Sequence, residues 1–456
     1  NTARIQLDDS GFVPLLDGGD FSIVQNGGDI YLTFTASGLA PIWDGGGANA
    51  NWDTVANWVG DGLPGVSKIH YFYQGIGSGT NINLNGNRTV AGIWVTNTAA
   101  LRFYNNRLTI NAAGLVLNSN AGGLLFSSDV ALGANQTWTN NSPADVVVDG
   151  VVTGPGEFHK KGQGRVILTA ANTFSGGLHV DGGVLQVQDS TNAIGAGAVH
   201  VGTNASLVLN GVSYAWRPAA TYLSGMGTNG EYGAIRNIRS GTIIWPGPIT
   251  LGADSKIVAT AGTFNVSGDI AAGAYTLYLT NANSFNMTAG LLTGSKTTGD
   301  GSLHKMGRGI LVLRPDSAFA GNLVLGQGTL RLALDLEDPS GTLFMADGTI
   351  LQSTGTAAPA VAKSLTITGN IALGAATTYT GALSVNNGVN LSNAVRIVTN
   401  ESAVSISGAI INGGWTKAGA GVLSFAGANA DAAGTSVGAG SLIHTGTNTA
   451  SAIAGS

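Results

Sequence analysis

The stretch FHKKGQGRVILTAANTFSGGLHVDGGVLQV (158–187) decides how the chain is read. Its last third holds two short alternating segments, LHV (178–180) and VLQV (184–187). In each, apolar residues sit two apart and point to one face, as in a β-strand. The same signature follows in VHV (199–201) and LVLN (207–210). Val199-His200-Val201 stands 21 residues after Leu178-His179-Val180. Further on, ADGTILQ (346–352) follows GQGTLRL (326–332) by 20 residues. A step of about 20 residues that returns a strand to the same role marks a solenoid coil. One such coil cannot bury its apolar face alone, so it stacks on the next at about 4.8 Å. Roughly 400 residues then predict about 20 coils, with an interior of stacked Leu, Val, Ile, Phe and Ala. The predicted class is all-β, a parallel β-helix with short hairpin excursions.

Composition agrees. Glycine contributes 71 of 456 residues and charged side chains only 10%. Apolar residues still reach 43%, too many for a chain that stays disordered through lack of a core. The glycines follow no three-residue period, which excludes collagen. Net charge is −5 and the 20 basic residues form no stripe, so nucleic acid is not an expected partner. No apolar run approaches the roughly 18 residues of a membrane helix. Cysteine is absent, which excludes disulfides, thiolate metal sites and cysteine catalysis. The first residue is Asn1, so a missing leader carries no information.

A longer repeat overlies the coil step. Residues 158–187, 303–332 and 415–443 align, matching Gly162 with Gly307 and Gly419, and Gly164 with Gly309 and Gly421. Gly183, Gly328 and Gly440 then match 19 residues beyond the second set. A Leu-Gly pair precedes each copy: Leu132-Gly133, Leu251-Gly252 and Leu373-Gly374.

The shared pattern, K-x-G-x-G-x-L-x-L followed by N-T-x-x-G-x-x-x-V-x-x-G-x-L-x-V, resembles the autotransporter-associated β-strand repeat of bacterial surface proteins. Residues 158–187 carry nearly all of it. The second copy has Ser317-Ala318 in place of Asn-Thr, and the third keeps Asn429 before Ala430. The segment WDGGGANANWDTVANW (43–58) is similar to a Trp-rich opening found ahead of such arrays. The resemblance implies a right-handed parallel β-helix, secreted and displayed at the bacterial cell surface. It also makes GGDFSIVQNGGDIYLTFT (18–35) look like the close of an array standing before an opening. Residues 1–38 are therefore expected to be a separate β segment, the end of a preceding unit or a connector to a neighbouring subunit. Residues 39–456 are expected to form the helix itself. A strand donated to an open solenoid end would pair its exposed edges and give head-to-tail assembly.

Candidate sites weigh lightly. His159, His179 and His200 recur at coil spacing, and a histidine ladder is a possible metal site. Alternation instead turns His179 and His200 to solvent, and His159 belongs to a basic His-Lys-Lys segment. Asp335, Glu337 and Asp338 form the densest acidic cluster, but Pro339-Ser340-Gly341 follows and reads as a turn. Asp17, Asp20 and Asp29 lie in DGGDFSIVQNGGD without the G-G-x-G-x-D run of a calcium roll, so the two GGD triplets read as hairpin turns. Trp43, Trp52 and Trp58, with Tyr71, Phe72 and Tyr73, suit either a sugar platform or a plug for the solenoid end, and the plug is favoured. Gly162-Gln163-Gly164 lacks the Lys-Ser/Thr and helix of a phosphate loop, so the GxG triplets read as corners needing positive φ.

No catalytic, metal or cofactor residue is assigned. The expected function is structural: a non-enzymatic extracellular rod that forms or decorates a surface fibre, with self-association head to tail or laterally. An adhesin or carbohydrate-binding passenger is the alternative, and predicts an exposed aromatic row. A β-helical polysaccharide lyase or hydrolase is the second, and predicts converging charged residues in a groove.

Overall fold

The computed structural model describes residues 19–26, 29–36, 40–73, 80–188, 193–211, 218–230, 232–287, 291–299, 301–355, 358–430, 433–446 and 453–455. The chain divides into two compact units, Asn1–Gly176 and Gly177–Ser456. The fold is an all-β parallel solenoid of about 16 turns with essentially no helix. Among the described residues no helix is long and apolar enough to cross a membrane.

In the first unit each turn contributes to three ladders. One passes from Ile69–Phe72 through the ends of Arg88–Val95 and Leu101–Leu117 to Gln136–Asn140 and Phe158–Lys161. A second links Asn81–Asn83, the start of Leu101–Leu117, Leu124–Leu132, Val146–Val148 and Arg165–Leu168. A third joins Arg88–Val95, the middle of Leu101–Leu117, the end of Leu124–Leu132 and Val152–Thr153. The 17-residue strand Leu101–Leu117 serves all three because it bends twice. Asn105 and Asn106 turn the first corner at φ 62° and 50°, a region asparagine tolerates, and Gly114 turns the second at φ 65°.

The unit's interior is aromatic. Phe72, Phe103, Phe126, Trp138, Phe158 and Phe174 succeed one another with ring centroids 4.9–6.2 Å apart. Phe103 and Phe126 stack in register on successive coils, and the other rings meet across the interior from different ladders. Tryptophan thus joins the residue types expected inside.

The segment Gly19–Asn26 pairs antiparallel with Asp29–Ala36, from Gly19↔Ala36 to Asn26↔Asp29, as a two-stranded sheet of its own. Of the second GGD triplet only Asp29 is described, as the first residue of the second strand, and its two glycines lie outside the described residues. The first triplet is no hairpin turn: Gly19 and Asp20 are already in a strand. Asp17 lies outside the described residues.

The second unit also has three sides. The first runs from Leu178–Val180 through Val199–Val201, Thr221–Leu223, Ile249–Leu251 and Ile270–Ala271 to Leu292–Gly294. A second starts at Gly183–Gln188 and includes Leu277–Asn281, Leu303–Met306 and Leu323–Leu325. A third starts at Thr242–Trp245 and includes Ile310–Leu313, Thr329–Leu332 and Thr349–Ser353. A five-stranded parallel sheet accompanies the later coils, from Ala360–Val361 to Ser441–His444.

The expected 21-residue step is met: Leu178 pairs with Val199 and His179 with His200. The step is not constant, though. It is 18 residues at Thr435↔Ile453 and 28 at Thr221↔Ile249. Longer corners mean fewer coils, which corrects the count from about 20 to about 16.

The second sequence pairing slips by one. Leu330 stacks on Leu351, 21 residues on, not on Ile350. Leu330 and Leu351 are fully buried, whereas Ile350 is only half-buried. The extra residue lies in the Ala346-Asp347-Gly348 turn, where Thr349 donates its hydroxyl to the Ala346 carbonyl at 2.6 Å. Matching glycines aligned the turns, but matching burial sets the register, because a one-residue slip exchanges the two faces.

Candidate functional site

The least ordinary chemistry lies inside the repeat. Lys160, Lys305 and Lys417 have no exposed surface. Alternation explains why. In Leu303–Met306 the burial pattern puts Leu303 and Lys305 inward. Lys305 takes a rung between Leu279 below and Leu325 above. Lys160 rests on Trp138, and Lys417 lies between Val398 and Val437. A lysine replaces the apolar residue of an otherwise apolar column.

Its amine is met by main-chain carbonyls. Lys160 Nζ donates to Lys161 and Gly162, both at 2.8 Å. Lys305 Nζ donates to Met306 (3.4 Å), Gly307 (2.5 Å) and, one coil on, Gln327 (3.1 Å). Lys417 Nζ repeats this with Ala418 (3.1 Å), Gly419 (2.5 Å) and Ala439 (2.9 Å). The first glycine of each GxG has φ 78°, 82° or 81°, and this left-handed corner turns the carbonyls toward the amine. At Lys305 and Lys417 three acceptors match the three hydrogens of an ammonium group. Burial opposes that charge, pushing Lys160 down to about 7 and Lys305 to about 8. It also lowers Lys417, with nearby Glu401 acting against it.

The second glycine has a different reason. Gly164, Gly309 and Gly421 lack positive φ, contrary to the corner reading. A buried asparagine of the coil below lies under each: Asn140, Asn281 and Asn400. The glycine N–H donates to the asparagine carbonyl at 2.8, 2.9 and 2.9 Å. A Cβ on the glycine would fall 2.6–2.7 Å from the asparagine Nδ2 and 2.2–2.5 Å from a backbone oxygen. Close approach, not conformation, excludes a side chain there.

A fourth buried lysine lies outside the three copies. Lys363 Nζ donates to Phe319 (2.8 Å), Ser340 (2.5 Å) and, at 3.4 Å, Asp338. Burial lowers it to about 8 against the pull of the Asp338 carboxylate.

These lysines were missed as interior residues. Lys160 stands in the basic His-Lys-Lys segment, and lysine is normally expected in solvent. The signal was its parity: it stands two residues from Phe158, an inward position.

The structure distributes the other candidates as follows. His179 and His200 stack face to face, with centroids 4.4 Å apart and planes 4° apart, and Tyr222 continues the stack at 4.5 Å. Ring-nitrogen lone pairs lie in the ring plane, so no ion sits in both planes of a parallel pair at once. His159 belongs to the first unit, 3.5 Å from Glu157. Asp335 and Asp338 each accept a backbone N–H, from Ala360 (2.8 Å) and Ser340 (2.7 Å), and flank buried Leu336. The Ser340 hydrogen bonds hold the Asp338 carboxyl below its usual range. The acidic cluster thus closes a turn.

Trp43, Trp52 and Trp58 are buried. Trp58 meets Trp43 and Trp52 edge-on at 5.0 and 4.9 Å and donates its Nε1 to the Trp52 carbonyl at 2.7 Å. Tyr71 and Phe72 are buried too, and Tyr73 is half-buried. The tryptophans extend the aromatic interior, so they offer no sugar platform.

A β-solenoid whose repeats are fastened by buried lysines is the class these features define. The family described as passenger-associated-transport-repeat matches residues 158–187 and 416–443, so the chain carries an autotransporter-associated repeat at both places. Residues 303–332 reproduce the same lysine, glycine and asparagine geometry. No curated protein and no solved structure matches the chain.

Proposed function

We propose that the chain is the passenger portion of a bacterial surface protein, and that it acts outside the cell as a non-enzymatic scaffold. The repeat and the β-solenoid fit an autotransporter passenger domain. The observation carrying the scaffold role is the lysine arrangement. It binds successive coils through main-chain groups, which suits a mechanical part and serves no exposed reaction centre. Low charge permits close lateral contact, and an edge-paired solenoid can extend by strand addition from residues 1–38. Fibre formation by self-association is thus part of the proposal.

Electron microscopy of native surface material tests it, together with protease treatment of intact cells. Fibres or projections labelled by antibody to this chain, lost on protease treatment, are the expected result. A chain found only inside the cell overturns the surface role. Isolated, evenly dispersed particles on the surface overturn fibre formation alone.

A further inference from the structure

The ring stack on the first side of the second unit ends abruptly. Its rungs His179, His200 and Tyr222 follow the coil register, and the next positions in that column are Thr250, Ala271 and Thr293. None carries a ring. The outer face of Tyr222 therefore looks along the column over a floor of small side chains. Tyr222 is 42% exposed and Thr250 is exposed. His200 lies against the back of the tyrosine ring, tilted from it by only 16°. The corner following these strands is polar: Lys296 Nζ lies 3.1 Å from Asp254 Oδ2 and 2.7 Å from Thr276 Oγ1. Asp254 and Lys296 remain partly exposed, at 42% and 24%.

We propose that this step is a binding slot for one pyranose ring of a neutral polysaccharide, seated where a fourth ring would extend the stack. A pyranose has a C–H face that suits an aromatic face and a rim of hydroxyls that suits the exposed Thr250 hydroxyl on the next rung. The tyrosine is already held in position by His200, so little ordering cost remains on binding. This inference goes beyond the scaffold role and does not depend on it, because it concerns one outward column only.

The test is saturation-transfer NMR of the whole chain with methyl β-D-glucopyranoside, cellotetraose and chitotetraose. Transfer to ring C–H protons of at least one sugar is expected. Tyr222→Ala should weaken binding about tenfold or more, the scale of one aromatic contact, whereas Tyr222→Phe should keep it. Thr250→Tyr adds the fourth ring from the protein itself and should block the slot with the fold intact, as circular dichroism will verify. Absence of transfer to all three sugars overturns the proposal. So does binding unchanged in both Tyr222→Ala and Thr250→Tyr.

Discussion

The amine of Lys305 reaches the carbonyl of Gln327, 3.1 Å away and 22 residues further along the chain. A side chain in the apolar column thus ties its own corner to the next coil. Lys305→Met keeps the length and apolar contacts of the stem but takes the amine donor away from the Gly307 and Gln327 carbonyls. An unpaired buried carbonyl costs about 1–3 kcal/mol, so a loss of roughly 2–4 kcal/mol is expected after partial relaxation. Urea unfolding measures it, and a Lys305→Met chain as stable as the parent would show that the carbonyls find other donors.

The buried amines make stability depend on pH, with a defined sign. Lys160, Lys305 and Lys363 release their protons near 7, 8 and 8 when folded, but near 10.5 when unfolded. Between those values the unfolded chain holds more protons, so stability rises with pH. Below about 7 both states are protonated at these lysines and their contribution is flat. Each contributes a slope of at most about 1.4 kcal/mol per pH unit within its window. Melting temperatures taken from pH 6.5 to 9.5 should climb. A fall would mean that losing the third N–H···O bond outweighs relief from burying charge.

Glycines should separate by cause. Gly309→Ala, at ordinary φ, puts a Cβ 2.2 Å from the Asn283 carbonyl oxygen and should cost at least about 2 kcal/mol. Gly307→Ala strains φ 82° and also brings a Cβ 2.8 Å from the Asn281 carbonyl oxygen, a milder clash, and should cost at least about 1–2 kcal/mol. Gly355→Ala meets nothing within 4 Å and has no positive φ. It should be neutral or stabilise by about 0.4–1 kcal/mol. Thermal melts of the three variants check the ranking, and a harmless Gly309→Ala would remove the close-approach argument.

Trp58 joins Trp43 and Trp52 at 1% exposure. Trp58→Ala should cost about 3–5 kcal/mol through the cavity it leaves. Hydrogen exchange should speed first in residues 40–73. Protection unchanged there would mean that the other rings close the space.

Much of the coil was legible because alternation and a near-constant step are local properties. Leu178 with Val199 was readable directly, since both flank an outward histidine at matching positions. The Leu330–Leu351 register was not, because corner length differs by one and glycine spacing tracks the corner, not the face. For the candidate sites, the histidine spacing brought two rings together, but their parallel planes rule out joint metal ligation. The GxG glycines were visible, but only the first of each pair owes its identity to its own backbone angle.

Taken alone, the sequence determined the parallel solenoid, its repeat and the inward parity of its apolar residues, because strand periodicity and turn chemistry act over a few residues. The tertiary structure decided what the repeat lysine does. Its partners are carbonyls of its own corner and of a coil 22 residues on, and Gly309 answers to an asparagine 28 residues earlier. Those distances exist only once coils stack. At that point a buried charge must find main-chain acceptors, and a side chain must vanish where two backbones approach too closely for a Cβ.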